Sequence, residues 1–295
     1  RHRRRPREHP RRRVVTAEPD TAGADLVRID DPADPRLGDY AALTDAALRK
    51  RYEHQQGVLI AEGPNPVHEL LASRYPVRSL LVSERRIGAL GEVLAAARAQ
   101  RATVYVVTQE VLEEVVRFRL HQGVLACGQR LPLPAPAEVV SNARRVLVLE
   151  GLNDHENLGT LFRTARAFAT DAILLGPGCA DPLYRRSVRV SMGHVLHLPF
   201  ARTGPIRPAL EALRAAGFTV LALTPSPEAV DLEQVTGLRA GRLALLLGAE
   251  GPGLTPEALA GADRAVRIPI VAGVDSLNVA AAGAIACHAL RPEAQ

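Results

Sequence analysis

Apolar residues along this chain fall into short runs of strand length, separated by segments in which they recur at helical spacing. Between Ala41 and Arg130 the runs Val58–Ala61, Val77–Val82, Val104–Val107 and Gly123–Cys127 alternate with helical stretches at Asn65–Ala72, Leu90–Ala99 and Gln109–Phe118. This alternation predicts a small α/β domain of about 90 residues. A second series follows. Val146–Leu149, Ala172–Leu175, Val195–Leu198, Val220–Leu223, Leu243–Leu247 and Ala265–Ile270 read as strands, with helices at Leu158–Ala169, Arg207–Ala215 and Leu277–Leu290. Regular strand-helix alternation of this kind predicts a largely parallel sheet covered on both faces.

The stretch Leu131-Pro-Leu-Pro-Ala-Pro-Ala137 carries prolines at alternate positions, which favours extended backbone over helix and predicts a short, stiff linker. Residues 1–36 are charged and proline-punctuated, with no sustained apolar period, and read as disordered. The chain thus divides into a basic arm at 1–36, a front domain at 37–130, a linker at 131–143 and a C-terminal domain at 144–295. A length of 295 residues suits two domains, each with its own core.

Charge sharpens this division. The formal net charge is +5, yet residues 1–13 alone hold eight arginines and one glutamate, so the rest of the chain is slightly acidic. An arginine arm attracts phosphate by counterion release, but a plain solvated tail has the same composition. No apolar run reaches the roughly 18 residues of a membrane span, and no signal or transit peptide is evident, so a cytoplasmic protein without membrane association is expected. Cys127, Cys179 and Cys287 are far apart and lack paired spacing, which argues against a disulfide framework or a metal site.

Three segments carry candidate chemistry, each where a strand ends, the place at which open α/β sheets bind ligands. The first is Glu150-Gly-Leu-Asn-Asp-His-Glu-Asn157-Leu-Gly159-Thr-Leu-Phe-Arg163-Thr-Ala-Arg166. It opens a helix whose free amides and positive dipole end favour an electron-rich ligand. Asn157 reads as the helix cap. At about 100° per residue, Asn157 and Arg163 lie toward opposite sides of that helix. The second is Leu245-Leu-Leu-Gly248-Ala249-Glu250-Gly251-Pro-Gly253-Leu254, a strand running into a glycine-dense loop. It lacks the Gly-Lys-Ser/Thr of a phosphate-binding loop. A dehydrogenase-like domain would place its glycine loop after the first strand; this loop follows the fifth. The third is Arg267-Ile268-Pro-Ile270-Val-Ala-Gly-Val-Asp-Ser276-Leu277-Asn278-Val279-Ala280, leading into an alanine-rich helix, for which Asp275 or Ser276 is the plain capping residue.

In order and spacing, Asn-x-Gly-x-x-x-Arg, Leu-Gly-Ala-Glu-Gly-x-Gly-Leu and Ile-Pro-x…Ser-Leu-Asn-Val resemble the SpoU/TrmH family of RNA 2'-O-ribose methyltransferases in the SPOUT superfamily. The match covers about 150 residues of the chain. The front domain, with Ala61-Glu-Gly-Pro-Asn-Pro-Val67, resembles that family's substrate module. Pro252 and the Gly-Val-Asp before Ser276 depart from the usual pattern, and the basic arm lies outside it.

The resemblance implies an α/β fold: a C-terminal SPOUT trefoil-knot domain with a parallel sheet, preceded by a small ribosomal-protein-like α/β substrate-binding domain. It implies S-adenosyl-L-methionine as cofactor, S-adenosyl-L-homocysteine as product, and no metal. Carried over by position, Gly248, Ile268 and Leu277 meet the cofactor largely through backbone and Leu223 and Thr224 lie near the adenine, with Ala249, Glu250, Gly251, Ile270 and Asn278 completing the site. Arg163 matches the family's activating arginine, while Asn157, Glu250, Ser276 and Asn278 hold substrate and arginine in place. Because a guanidinium almost never gives up its proton, orientation of the hydroxyl and stabilisation of charge on oxygen suit Arg163 better than proton abstraction. Arg166, Arg185, Arg186 and Arg189 are the expected RNA contacts. A homodimer packed through the C-terminal domain is implied, with ribosomal RNA favoured over transfer RNA as partner. Transfer RNA 2'-O-methylation and an inactive RNA-binding scaffold are the alternatives.

Overall fold

A computed structural model describes residues 26–45, 52–271 and 273–292. The first 25 positions of the expected basic arm lie outside the described residues. The remainder of that segment is ordered, contrary to expectation. Leu26–Arg28 forms β1, which pairs in parallel with β4 (Thr103–Val107), and Ile29 and Leu37 are buried beneath it. Leu26, Val27, Ile29 and Ala33 among residues 26–36 give no readable period, but the sheet edge offers the first three both hydrogen bonds and cover.

The front domain continues with β2 (Val58–Glu62), α1 (Pro64–Leu71), β3 (Val77–Ser83) and α2 (Gly91–Ala99). After β4 come α3 (Gln109–Val116) and β5 (Val124–Gln129). The strands form one sheet in the order β1-β4-β3-β5-β2, parallel on the β1-β4-β3 side and antiparallel on the β3-β5-β2 side. β2 is buried at every position: Val58–Ala61 as an apolar run, and Glu62 as a carboxylate whose charge is met by arginines of the second domain.

The proline segment is extended only at first. Pro136 occupies the first turn of a short helix, α4 (Pro136–Val140), where a missing amide costs nothing, and Val140 and Ala143 join the core beneath. The expected linker is therefore partly a piece of the second domain.

That domain runs β6 (Arg145–Leu149), α5 (His155–Ala167), β7 (Ala172–Leu175), α6 (Arg185–Val190), β8 (Phe200–Arg202), α7 (Ile206–Ala215), β9 (Phe218–Leu223), β10 (Val230–Asp231), β11 (Arg242–Leu247), α8 (Pro256–Gly261), β12 (Arg264–Arg267) and α9 (Val279–Ala289). Its seven strands lie in the order β10-β12-β9-β11-β6-β7-β8, every neighbouring pair parallel, so all their C-terminal ends share one edge. This is the predicted parallel α/β architecture. Among the described residues no helix is long and apolar enough to cross a membrane.

Two predicted strands differ. Val195–Leu198 is a buried turn of 3-10 helix (His194–Leu196), and the strand comes after it as β8. Left-handed backbone at Met192 and Gly193 turns the chain there, so the apolar run reports burial on all sides rather than extension. The run Ala265–Ile270 leaves the sheet after Arg267, because Pro269 has no amide to give to a ladder.

At the opposite edge of the sheet, Arg145 is 6% exposed, and its guanidinium donates to the carbonyls of Leu290 (2.9 Å), Gly241 (2.6 Å), Arg144 and Arg239. The start of β6 thereby holds the end of α9.

Candidate active site

The C-terminal ends of β9, β11 and β12 open into a cavity of about 350 Å³. Its walls include Leu223, Thr224, Gly248, Ala249, Glu250, Gly251, Ile268, Ile270, Leu277 and Asn278, which are all ten positions singled out in the sequence, together with Ser276. Pro225, Gly253, Val279 and Ala282 also line it and were not anticipated. Gly253 and Val279 stand inside the motifs without a role assigned to them, and Pro225 and Ala282 lie just outside.

The glycine loop owes its shape to close backbone approach. A Cβ on Gly248 would lie 2.3 Å from the Gly253 carbonyl carbon and 2.4 Å from the Leu254 nitrogen. The loop closes through Gly253 N–H donating to the Ala249 carbonyl at 3.0 Å, with Gly251 and Gly253 in left-handed conformation. Its far end is tied to the first motif. Thr255 donates from its amide (3.0 Å) and hydroxyl (2.9 Å) to the two carboxylate oxygens of Glu150, and the same hydroxyl accepts from Ala258 N–H to cap α8. Glu150 is 7% exposed, so these bonds replace the water its carboxylate has lost. The sequence offered Glu150 only as the first letter of a motif; a buried carboxylate on the glycine loop was not legible in it.

Asn278 joins the three motifs. Its Oδ1 accepts from Ala280 N–H (3.0 Å) and Ala281 N–H (3.1 Å), making it the cap of α9 in place of the expected Asp275 or Ser276. The oxygen is fixed toward the helix by those two amides, so the NH2 group must face the other way. It donates there to Asn157 Oδ1 at 2.9 Å and Glu250 Oε1 at 2.5 Å. Asn157 is correspondingly free of capping duty. Asp154 caps α5, accepting from Glu156 and Asn157 amides at 2.8 and 2.9 Å, and Asn157 stands in the first turn with its side chain turned to α9.

Two glycines make this meeting possible. A Cβ on Gly283 of α9 would fall 2.4 Å from Leu161 Cδ2 and 3.1 Å from Leu247 Cδ1, so α9 lies hard against α5 and β11. On the other flank of α5, a Cβ on Gly159 would meet the Ser187 carbonyl oxygen at 2.8 Å, which packs α6 closely against it. The glycine of the first motif thus has a packing reason.

Arg163 stands apart from this cluster. It is exposed on α5, outside the lining of the cavity, and among the described residues it has no hydrogen-bond or ion-pair partner. Burial first, then the positive fields of Arg166 and, more weakly, Arg163, hold the imidazole of His194 below its usual pKa. His197 is lowered by burial and Arg166 as well, even though its Nε2 lies 2.6 Å from Glu69 Oε2; desolvation outweighs the attraction.

The four expected RNA-contacting arginines all have carboxylate partners. Arg186 pairs with Glu156 and Arg166 with Glu69 (3.4 Å), both at the surface. Arg189 meets Glu62 at 3.3 Å while remaining half exposed. Arg185 departs from expectation. Only 17% of its side chain is exposed, and it ion-pairs with Glu62 of β2, donates to the Leu43 carbonyl at 3.2 Å and lies 5.1 Å above the Phe118 ring. It is an internal tie between the two domains, with Arg130 to Asp181 (2.6 Å) as a second such tie.

Family models match both halves of the chain: the SpoU rRNA Methylase family over residues 144–288, and RNA 2'-O ribose methyltransferase substrate binding over residues 60–131. An uncharacterized tRNA/rRNA methyltransferase of Mycobacterium bovis is 46% identical over 267 residues, covering 90% of this chain and 92% of its own. This chain belongs to the SpoU methyltransferase family. SpoU relatives also include RlmP of Bacillus subtilis, a 23S rRNA (guanosine(2553)-2'-O)-methyltransferase, 28% identical with coverage of 82% and 92%. A crystal structure of an AdoMet-bound rRNA methyltransferase from Sinorhizobium meliloti superposes with a TM-score of 0.76 at 26% identity, covering 90% of this chain and 97% of that one. The two SpoU family models part where the two sheets part, so the fold is that of an RNA methyltransferase with its substrate-binding domain in front.

Proposed function

We propose that this SpoU protein transfers a methyl group to a ribose 2'-hydroxyl of RNA, with ribosomal RNA its substrate in preference to transfer RNA. The observation that carries the reading is the convergence of Asn157, Glu250 and Asn278, from three distant segments, at the cavity formed by the strand ends. The lining fits S-adenosylmethionine. Among the described residues Glu250 is its one ionisable lining residue, which suits a ligand that is cationic at sulfur, and the leucine and isoleucine side chains suit an uncharged adenosine. A phosphate-bearing dinucleotide would find no arginine or lysine among them.

When bound, S-adenosylmethionine supplies a methyl group on a positively charged sulfur that departs as a neutral thioether. The chain's own part is positioning and electrostatics. Asn278 is locked by its two donor and two acceptor bonds and holds Asn157 and Glu250 at fixed places beside the cavity. Arg163, exposed and unpaired, is available to the incoming ribose and its phosphate. Its guanidinium orients the hydroxyl and stabilises negative charge on oxygen as the proton passes to solvent water, while keeping its own proton.

The same reading includes the knotted path of the C-terminal domain and a homodimer through it. Val271, Val274, Leu277 and Ile285 are exposed on the loop before α9 and on α9 itself, an apolar surface beside the cavity that suits a second copy of this face. Methyl transfer from labelled S-adenosylmethionine to total ribosomal and transfer RNA, with wild type and Arg163→Ala in parallel, tests the proposal. Label in ribosomal RNA that resists alkaline hydrolysis at one linkage and is lost with Arg163→Ala is the expected result. Absence of cofactor binding would overturn it.

A further inference from the structure

The C-terminal edge of the parallel sheet carries a second cleft, of about 610 Å³, at the ends of β7 and β8 and bounded on the far side by the front domain. The first turn of α5 stands between the two openings, contributing His155 to this one and Asn157 to the cluster at the other. These residues are two apart on α5, about 3 Å along its axis, so both openings are within reach of adjacent nucleotides of one strand.

The chemistry of the cleft suits a nucleotide. His155 and Tyr184 form a ring pair with centroids 4.6 Å apart, both half-buried in the wall. Arg202 is exposed at the end of β8, and its guanidinium donates to the carbonyls of Cys179 (3.2 Å) and Ala180 (3.0 Å), which orient it without neutralising it. On the α6 side, Arg185 and Arg189 share the single carboxylate of Glu62, leaving one positive charge in excess. Glu53 and Asp181, the acidic groups of the cleft, share Arg130, which offsets that excess, and Arg186 pairs with Glu156, so the uncompensated positive charge of the cleft is that of Arg202, with Arg189 half exposed beside it. A ring platform flanked by incompletely neutralised arginines is the arrangement that holds single-stranded RNA, stacking a base and meeting its phosphate.

We propose that this inter-domain cleft binds a nucleotide next to the one that is methylated, its phosphate on Arg189 and Arg202 and its base against His155 and Tyr184. The inference rests on the RNA methyltransferase reading and assigns that reaction a second RNA subsite, built jointly by the two domains.

The test uses the full chain and total ribosomal RNA labelled with 4-thiouridine. Binding is titrated at several salt concentrations for wild type, Arg202→Ala and Arg189→Ala, and cross-links are mapped after irradiation. Each substitution is expected to weaken RNA binding by about tenfold and to lower the slope of log K against log salt by about one, with affinity for S-adenosylmethionine unchanged. Cross-links are expected at Tyr184 or His155. Unchanged affinity in both variants, weakening without a change of slope, or cross-links confined to other surfaces would each overturn the subsite. Methyl transfer by wild type to the same RNA is scored alongside. If that fails, the underlying activity is wrong; if it succeeds while the variants bind normally, only the subsite is.

Discussion

Adding one methyl group at Gly248 should damage the cavity more than any other single-carbon change in the glycine loop. The new Cβ would lie 2.3 Å from the Gly253 carbonyl carbon, whereas carbon atoms pack at about 3.5 Å, so that backbone has to retreat by about 1 Å. No side chain can rotate away to relieve it, since the nearest atoms are main chain on both Gly253 and Leu254. Overpacking of this kind costs about 1–3 kcal/mol, which lowers Tm by roughly 2–5 °C in a chain of this size. The displaced loop is also a wall of the cavity, and a penalty of that size falling on the bound state weakens cofactor affinity roughly 5- to 150-fold. Calorimetric titration with S-adenosylmethionine and a thermal melt on Gly248→Ala read both numbers. Gly251→Ala is the control: its Cβ meets nothing within 4 Å, and only the left-handed φ of +84° resists, at about 1 kcal/mol. Wild-type affinity and Tm in Gly248→Ala would refute the account of why glycine stands there.

At Asn278 the two halves of one amide can be separated. Asn278→Asp keeps the acceptor that caps α9 and loses the donor to Asn157 and Glu250, so it should melt within about 1 kcal/mol of wild type yet lose methyl transfer; Asn278→Ala should lose activity and about 1 kcal/mol of stability besides. Stability should also depend on pH through His194 and His197. Both have folded pKa values below the unfolded value of about 6.5, so the unfolded chain takes up protons first and stability, complete above that pH, falls as pH drops below it. Urea unfolding between about pH 5 and 8 should show this decline in wild type and a shallower one when both residues are changed to glutamine; equal slopes would refute it.

What the sequence reveals depends on how local the cause is. Buried strands such as β6 and β11 announce themselves because both faces must be apolar. The ten positions lining the cavity were legible only through the resemblance to the SpoU/TrmH family: glycines and polar residues at strand ends marked three segments, but Leu223, Ile268, Ile270 and Leu277 carry no signal of their own. Val195–Leu198 misled because burial alone makes an apolar run, and its turn is set by the backbone of Met192 and Gly193. β1 was missed because three residues acquire strand character only from β4, 78 positions away in sequence. The same holds for Arg185: an arginine in a motif-like cluster looks like a phosphate ligand until the position of Glu62 is known. Capping by Asp154 in place of Asn157 was a choice among neighbours that composition does not rank.

Glu62 and Glu69 both project from the front domain onto the catalytic one, the first to Arg185 and Arg189, the second to Arg166 and His197. For anyone building chimaeras, that makes the front domain a keyed part. A substrate module grafted from a relative would have to bring a carboxylate at each of these two positions. It would also need the catalytic domain to keep Gly193, since a Cβ there would sit 2.5 Å from the Glu69 Cβ. Without those three features the hybrid would present RNA-reading and methyl-transferring surfaces that no longer share a common frame.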